Sequence, residues 1–382
     1  MASLTVGDLW IERAAEVVGF DGVGERVFGT TAAGPYLLMV TIVLVHLPLL
    51  SLVGWLQTGV LSFAVNPGEI FQVVAWPAVV WILLRTKSKY EATINDLPEP
   101  VDADIRGLNL ESPLTSRLLS LVGLPADTTG KADAALDTLV HRPVRRAILV
   151  GGLVLYGLVL ATDPSSVVGP VADLTGRAVA AVRFYVVIPF VLYPIGAEFV
   201  AVVVGVLVLL PFKIERATLV DFSDPHGFAG LAPAGTLFKS VAVSYFILVA
   251  LFAVFQTVAT GTSPTGLFSS TLLAGGLLLG LGLFLGPLLR IKSYLAAAKE
   301  AKIEALAEAS RRVGSTDDLF PYAEPESTDD ASQYTYNHIR MQRVQSTSEL
   351  PIDFAMVQEI LFALVLPYVS SLVFDFVVRT VA

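Results

Sequence analysis

Long apolar runs, separated by polar segments, are the main pattern along this chain. A helix that crosses about 30 Å of hydrocarbon needs about 20 mostly apolar residues. Seven runs reach or approach this length, near 36–60, 70–84, 147–162, 184–212, 240–260, 267–289 and 354–378. We therefore predict an all-α fold, a polytopic integral membrane helical bundle of about seven transmembrane helices with a helical cytoplasmic extension.

Two of these runs leave alternatives open. The second and third are short, and the second carries Pro77, so either could be a buried or re-entrant piece instead of a full span. The fourth is long enough for one tilted span or for a broken pair. Pro189, Pro194 and Gly196 favour a break or kink, because proline removes a helix hydrogen bond.

The polar segments divide the chain into seven parts. Lysine and arginine concentrate in loops that stay in the cytoplasm, and all but three of the 25 lie in the segments 1–35, 85–146, 211–239 and 290–354. These segments should share one side, with the N-terminus cytoplasmic and the C-terminus extracellular. The predicted parts are an N-terminal cytoplasmic amphipathic arm (1–35), a first transmembrane hairpin (36–84), a cytoplasmic loop (85–146), transmembrane helices three to six (147–290), a cytoplasmic helix (291–314), an acidic linker (315–350) and a last transmembrane helix (351–382).

The N-terminal arm has helical periodicity. Glu12 and Glu16 fall opposite a face that apolar residues could share. The arm is therefore predicted either as a helix in the membrane interface or as a solvated arm packed on the bundle. The apolar positions are Leu9, Trp10, Ala14, Val17 and Val18.

The sixth span should continue without a break into the cytoplasm, because strong helix formers extend to Gly314. An Ala-rich stripe along this extension is either a close-packed helix–helix seam, within one subunit or between copies, or part of a solvated helix laid over the inner loops. The stretch 315–350 is acidic and rich in Ser, Thr and Pro, so it is predicted to be disordered, with local order near 334–344.

Ionisable residues inside the spans are candidate functional groups, because charge in the hydrocarbon layer is costly. Counting from the predicted span ends places His46 and Glu198 near the midplane, where they could face each other. The functional interpretation is a site for a cation or proton, and the alternative is a structural, hydrogen-bonded glutamic acid. Nearer the outer face, Arg183 and Asp375 fall at similar depth and could pair.

Glycines in the sixth span form two GxxxG pairs, a spacing that lets helix backbones approach closely in lipid. The pairs are Gly276 with Gly280 and Gly282 with Gly286. A flexible or pore-lining helix is the alternative.

The loop between the fourth and fifth spans carries Asp221, Asp224 and His226, followed by Gly227 and Gly230. Carboxylates and an imidazole could bind a divalent cation. The alternative is a rigid turn whose side chains satisfy backbone groups, and the metal question stays open.

This loop, DPHGFAGLAPAG, resembles the Asp-Pro-(His/Asp)-Gly-x-x-Gly-Leu loop of a loose group of poorly characterised prokaryotic polytopic membrane proteins. In that group a charged helix follows the next hairpin, and a short Pro-Ile/Leu-Asp segment precedes the last span. Both features occur in this chain, at 290–306 and 351–353. The resemblance implies a membrane fold but no activity.

Composition narrows the function classes. The chain has no cysteine, which excludes disulfides, thiolate catalysis and Fe–S clusters. Its net charge of −9, with few lysines, is typical of proteins from a salty cytosol. The basic residues are scattered, so no nucleic acid partner is expected. No nucleotide, haem, retinal or protease motif occurs, so we predict no enzyme activity and no cofactor.

The sequence therefore favours a multi-pass protein of the cell membrane. The first hypothesis is a channel or transporter for an ion or small solute, with a midplane polar site. The alternative is a membrane-anchored signalling or scaffold protein that docks a cytosolic partner through its inner helices. The expected partner is the lipid bilayer, and the candidate further partners are other copies of the chain and that cytosolic partner.

Overall fold

A computed structural model describes residues 7–61, 67–98, 136–162, 175–217, 219–260, 267–313, 328–350 and 354–381, with a few isolated positions between 117 and 173. Throughout these residues the regular secondary structure is helical, as predicted. The helices are α1 (Trp10–Val18), α2 (Phe20–Phe28), α3 (Gly34–Thr58, preceded by a 3₁₀ turn, Thr31–Ala33), α4 (Pro67–Asp96), α5 (Arg142–Thr162), α6 (Arg177–Ala217), α7 (Ala232–Thr260), α8 (Leu267–Val313), α9 (Thr328–Ser346) and α10 (Phe354–Val381).

Five helical stretches are long and apolar enough to cross a membrane. They are Thr31–Thr58, Arg142–Thr162, Arg177–Ala217, Ala232–Val254 and Ala274–Ser310. The described part of α10 contributes a shorter apolar stretch, Ala355–Ser370. Large apolar side chains such as Leu56, Phe190 and Leu278 are exposed on these helices. An apolar surface of this extent does not suit water, so the protein is membrane-embedded.

Helix α6 is continuous, which supports the alternative of one long span over a broken pair. Two π-helical segments, Arg183–Leu192 and Val204–Leu209, interrupt its α-helical geometry. Pro189 lies inside the first of them. The wider π turn accommodates the backbone that proline leaves without its usual hydrogen bond. The sequence correctly located an irregularity here, and the structure gives it the form of a π-helical segment.

Helix α8 confirms that the sixth span continues as one helix far beyond the apolar run. Its Ala-rich stripe is buried within the chain, because Ile291, Leu295 and Ala298 are almost fully enclosed. This burial supports a close-packed seam within one subunit over a solvated helix. A seam that is open to another copy is therefore not present at these three residues.

Helix α9 corrects the prediction of a disordered linker over 315–350. Nineteen residues, Thr328–Ser346, form this helix. It packs against α8, where Asn337 and Val344 are buried and Lys299 Nζ donates to the Thr347 carbonyl at 3.1 Å. The polar composition of the segment predicted disorder, but its few apolar residues pack against α8. Residues 314–327 lie outside the described part.

Helices α4 and α5 also differ from their predicted limits. Helix α4 extends to Asp96, well past the predicted span end at 84, and α5 begins at Arg142 instead of 147. Both helices therefore carry charged turns beyond their apolar parts. The amphipathic helix expected at 113–123 falls outside the described residues, apart from two single positions.

The two GxxxG pairs of α8 have different environments. A Cβ atom added at Gly280 would overlap the Tyr245 ring, so this glycine permits close packing of α8 on α7. The Tyr245 hydroxyl also donates to the Gly276 carbonyl at 2.9 Å. A Cβ atom added at Gly282 or Gly286 would meet no described atom within 4 Å. The first pair thus packs helices within the chain, whereas the second lies on an open face.

Candidate functional site

Glu198 is level with the first turn of α5. Helices α5 and α6 run antiparallel, as three successive contacts show: Tyr156 Oη to the Phe184 carbonyl (2.8 Å), Tyr193 Oη to the Ile148 carbonyl (2.8 Å), and Arg145 to Glu198 (2.6 Å). Because α5 begins at Arg142, Glu198 faces the start of that helix. Glu198 itself lies near the middle of α6, which continues for about five further turns. Its position at the membrane midplane stays a prediction.

The Glu198 carboxylate holds two other segments. Its Oε1 atom accepts from Arg145 Nη2 at 2.6 Å and from the Trp10 backbone N–H at 3.3 Å. Trp10 is the first residue of α1, where backbone N–H groups have no partner inside the helix. Glu198 therefore caps the N-terminal arm and ties it to α5. These contacts match the structural interpretation of this glutamate.

His46 does not pair with Glu198, contrary to the prediction. It lies in the middle of α3, where its Nδ1 is 2.7 Å from the Ile42 carbonyl of the preceding turn. Its imidazole lines a cavity between α3, α4, α6 and α7 that also includes Arg183. His46 therefore keeps its predicted depth but belongs to a different cluster.

Arg183 pairs with Glu69, a residue that the sequence did not single out. The Arg183 Nη2 atom donates to Glu69 Oε1 at 2.9 Å, and both side chains are buried, with 9% and 1% exposed. The prediction paired Arg183 with Asp375, whose side chain lies outside the described part of the structure. Glu69 was missed because it lies just before the predicted second span, in the first turn of α4.

The cavity beside this ion pair has a volume of about 490 Å³, which is within the range of small-molecule sites. Most of its lining is apolar or aromatic, and three polar side chains reach it: His46, Gln72 and Arg183. The remaining described lining residues are Phe71, Ala75, Trp76, Val79, Ile188, Leu192, Tyr193, Gly196, Phe199, Leu248, Leu251 and Phe252. We call this space the intramembrane cavity.

The π-helical segment of α6 forms part of the cavity wall. Arg183 begins the segment, and Ile188 and Leu192 lie along it. π turns are rare and occur frequently at functional sites. In this helix the wider turn shifts the side chains that follow it relative to a regular α-helix. The π-helical segment, the Arg183–Glu69 ion pair and the intramembrane cavity therefore lie next to one another.

The loop with Asp221, Asp224 and His226 forms a rigid turn. Both Asp224 oxygens accept backbone N–H groups, from His226 at 2.9 Å, Phe228 at 3.2 Å and Gly230 at 2.9 Å. These hydrogen bonds outweigh partial desolvation and lower the pKa of Asp224. Asp221 accepts from the Ser223 backbone in the same way. The alternative of a turn that satisfies its own backbone is therefore supported.

The glycines of this loop serve the turn. Gly227 and Gly230 have positive φ angles of 73° and 76°, which side chains disfavour. The Gly227 carbonyl accepts from the Ser348 backbone at 2.7 Å and so ties the loop to the segment before α10. Among the described residues no group of three or more His, Asp or Glu side chains could hold a metal ion.

A second buried polar cluster lies at the end of α6 and was also missed. Lys213 is almost fully buried and donates to the Thr138 carbonyl at 2.7 Å. The Tyr90 hydroxyl lies 3.5 Å from the same Nζ and donates to the Leu136 carbonyl. Burial and the nearby Lys213 charge lower the pKa of His141 to about 4. The cluster fixes the segment 136–141 against α4 and α6.

No protein-family model, no curated protein and no solved structure was found to match this chain. The functional argument therefore depends on the geometry of the chain itself.

Proposed function

We propose that the chain is a multi-pass protein of the cell membrane with seven spans. Helices α4 and α10 would supply the two spans beyond the five that length and composition identify. Two ion pairs support the alternating arrangement, because each joins helix ends that should share a side: Glu69 of α4 with Arg183 of α6, and Lys239 of α7 with Glu359 of α10. The distribution of basic residues favours a cytoplasmic N-terminus and an extracellular C-terminus.

The proposed activity is transport of a small solute, with the intramembrane cavity as its binding site. The observation that carries this proposal is a buried ion pair, in the first turn of α4, that borders a cavity lined mostly by apolar side chains. Burying a charge pair among apolar side chains is costly, and packing alone would favour filling the space with apolar side chains. Retention of both features is best explained by a ligand that uses them.

The lining favours a particular chemical class of solute. The described polar groups of the cavity are a guanidinium, an imidazole and an amide, while the nearby Glu69 carboxylate is bonded to Arg183. Hydrogen-bond donors in an apolar surrounding suit a molecule with an apolar body and one anionic group. A bare metal cation would lack carboxylate ligands in the described lining. We therefore favour an organic anion over a metal cation as substrate.

Filling the cavity provides the experiment. A Cβ at Gly196, in the cavity wall, would meet no described atom within 4 Å, so Gly196→Leu should add volume without a clash. Gly157→Leu is the matched control, because Gly157 is equally unobstructed but lies on the exposed side of α5. The probe is benzenesulfonate, which keeps its charge and crosses bilayers poorly.

Proteoliposomes with the unmodified chain should accumulate benzenesulfonate faster than empty liposomes do. Gly196→Leu should lower the protein-dependent rate at least tenfold, and Gly157→Leu should leave it within twofold. Chloride and proton fluxes measured in parallel test the wider class of ions. If the protein raises none of the three fluxes, the transport proposal is wrong.

The alternative function, a scaffold that docks a cytosolic partner, has less support. It relied on the inner helix α8, whose Ala-rich stripe is buried within the chain at Ile291, Leu295 and Ala298. Transport through the intramembrane cavity therefore remains the function we propose.

A further inference from the structure

The N-terminal arm consists of two short helices joined at a sharp turn. Helix α1 ends at Gly19, whose φ of 88° reverses the chain, and α2 ends in the same way at Gly29. One side of α1 packs on the bundle through Leu9, Ile11 and Ala15, which are almost fully buried. These buried side chains attach the arm to the bundle.

The arm also carries an apolar surface that nothing in the described chain covers. Val17 is 85% exposed, and Val18, Val27 and Phe28 are each about 62% exposed. Val23, one turn before Val27, is also exposed. We call these five residues the arm surface. Five exposed large apolar residues within twelve positions form an unusually apolar patch for a surface in water.

The attachment points fix the level of the arm surface relative to the spans. Glu198 holds the start of α1 beside the first turn of α5, and Lys87 Nζ binds the Glu12 carboxylate at 2.8 Å. Near Lys87 on α4, the Arg85 guanidinium lies 4.8 Å from the centre of the Trp81 ring. Tryptophan and arginine are typical of the boundary between lipid and water.

The short connection between α2 and α3 places the arm surface at the same level relative to the spans. Helix α2 ends at Phe28, and only Gly29 and Thr30 separate it from the membrane-crossing stretch, which begins at Thr31. Leu44 and Val45, farther along that stretch, are exposed to the lipid layer. The arm surface is therefore adjacent to the lipid-facing side of the bundle and not to its distal end.

Glu25 lies on the side of α2 opposite Val23 and Val27, as an interfacial helix requires. At 100° per residue, Val23 and Val27 fall within 40° of each other, whereas Glu25 lies on the far side. A helix with one apolar and one charged face lies in the plane of the interface, with its apolar side in the headgroup and acyl boundary.

We propose that the arm surface is a lipid-binding surface that inserts into the leaflet on the Thr31 side of the spans. The lipid acyl chains would cover the five apolar side chains, while Glu25 and Arg26 would remain among the headgroups. The arm would then join the bilayer surface to the Glu198 ion pair. A second copy of the chain is the competing occupant, and the test distinguishes it.

The natural absence of cysteine makes the test direct. Single variants Val23→Cys and Val27→Cys, carrying a nitroxide label, report the arm surface. Glu25→Cys is the matched control on the opposite side of the same helix. The full chain is placed in nanodiscs of phosphatidylcholine and phosphatidylglycerol, and collisions of each label with oxygen and with a water-soluble nickel complex are measured.

Labels at 23 and 27 should show an oxygen-to-nickel collision ratio at least threefold higher than the label at 25, because oxygen concentrates in lipid. Equal ratios at all three positions would place the arm surface in water and overturn the proposal. Dipolar broadening at position 27 that disappears when labelled chains are diluted with unlabelled ones would show a second copy there, which also overturns it.

Discussion

Two buried ion pairs of the same chemical type lie in different regions of this molecule. Glu69 and Arg183 join α4 to α6 beside the intramembrane cavity, whereas Glu198 and Arg145 join α6 to α5 at the end of a span. The first pair borders open space lined by His46. The second is covered by the N-terminal arm, whose Trp10 N–H completes the carboxylate's contacts.

The comparison teaches that a charge within an apolar run does not by itself mark a site. At the span end, a carboxylate stabilises the fold by satisfying an arginine and a helix N-terminus. At the cavity, the ion pair lies among apolar residues next to unfilled volume. The informative feature is buried charge together with space for a ligand.

The largest effect is expected from breaking the cavity ion pair. Glu69→Gln leaves the Arg183 guanidinium buried without its carboxylate, and removal of one partner of a buried pair costs about 3–5 kcal/mol. The free energy of unfolding, measured in mixed detergent micelles, should fall by this amount. The double variant Glu69→Met with Arg183→Met is the control, because it removes both charges together.

That double variant should recover more than half of the lost stability. It should also abolish benzenesulfonate transport, because the guanidinium is then absent. A double variant as unstable as the single one would mean that the pair is a net stabiliser of the fold. The contrast between a site and a structural tie would then disappear.

A smaller effect is expected at the span end. Glu198→Ala removes the acceptor for both Arg145 and Trp10, but Arg145 is 22% exposed, so water can replace part of the contact. We expect a loss of about 1–3 kcal/mol, concentrated in the arm. Backbone amides of α1 should exchange with deuterium at least tenfold faster, as measured by mass spectrometry.

Lys87→Met, which removes the other tie of the arm, should speed exchange in the same residues. Neither variant should change benzenesulfonate transport by more than twofold, since both lie outside the intramembrane cavity. Strong inhibition by Glu198→Ala with normal exchange in α1 would return Glu198 to the transport site.

The sequence predicted the class of this fold because apolar length is a property of each helix alone. It also predicted the continuation of α8, since strong helix formers need no distant partner. Side-chain pairs between helices were harder to predict, because they depend on where each helix enters the apolar layer. The depth of Glu198 was counted along the apolar run of α6, and such a count cannot show that its carboxylate faces Arg145 at the start of α5.

The same limit explains the residues that were missed. Glu69 lies at the edge of a short apolar run, and its partner Arg183 comes 114 positions later. Helix α9 looked like a linker because its own composition is polar, and its order comes from packing on α8. His46 was found by its depth in α3, but its partners were not.

Asp224 extends the comparison to a carboxylate outside the spans and should give a still smaller effect. Asp224→Ala removes the acceptor of three backbone N–H groups, and losing a side-chain cap of this kind costs about 1–2 kcal/mol. Exchange of the amides at 226, 228 and 230 should quicken accordingly. Asp221→Ala, which affects chiefly the bond to Ser223, should change these amides less.

Lowering the pH should weaken the hydrogen bonds of the same loop. The pKa of Asp224 is lowered in the folded chain, so its contribution is complete above the ordinary value of 3.8 and is lost as pH falls through the folded value. Exchange at the three amides, corrected for intrinsic rate, should therefore not change from pH 7 to pH 5. A marked opening already at pH 5 would contradict the role assigned to this carboxylate.

The smallest effect concerns the pH range over which the arm stays attached. Burial alone would lower the pKa of Lys87, but the carboxylates of Glu12 and Asp8 outweigh it and raise this pKa above 10.5. The stabilisation is complete below 10.5 and is lost as pH rises through the folded value. A nitroxide at Val18→Cys should therefore become more mobile only above about pH 10.5.

Lys87→Arg keeps a positive charge at this pH, so the mobility of its label should not change up to pH 11.5. Lys87→Met should give a mobile label at every pH. If Lys87→Arg and the unmodified residue respond identically, the transition belongs to another group, and the arm is held chiefly by Glu198. In that case the span-end ion pair would be the main tie between the arm and the bundle, which sharpens its contrast with the pair at the cavity.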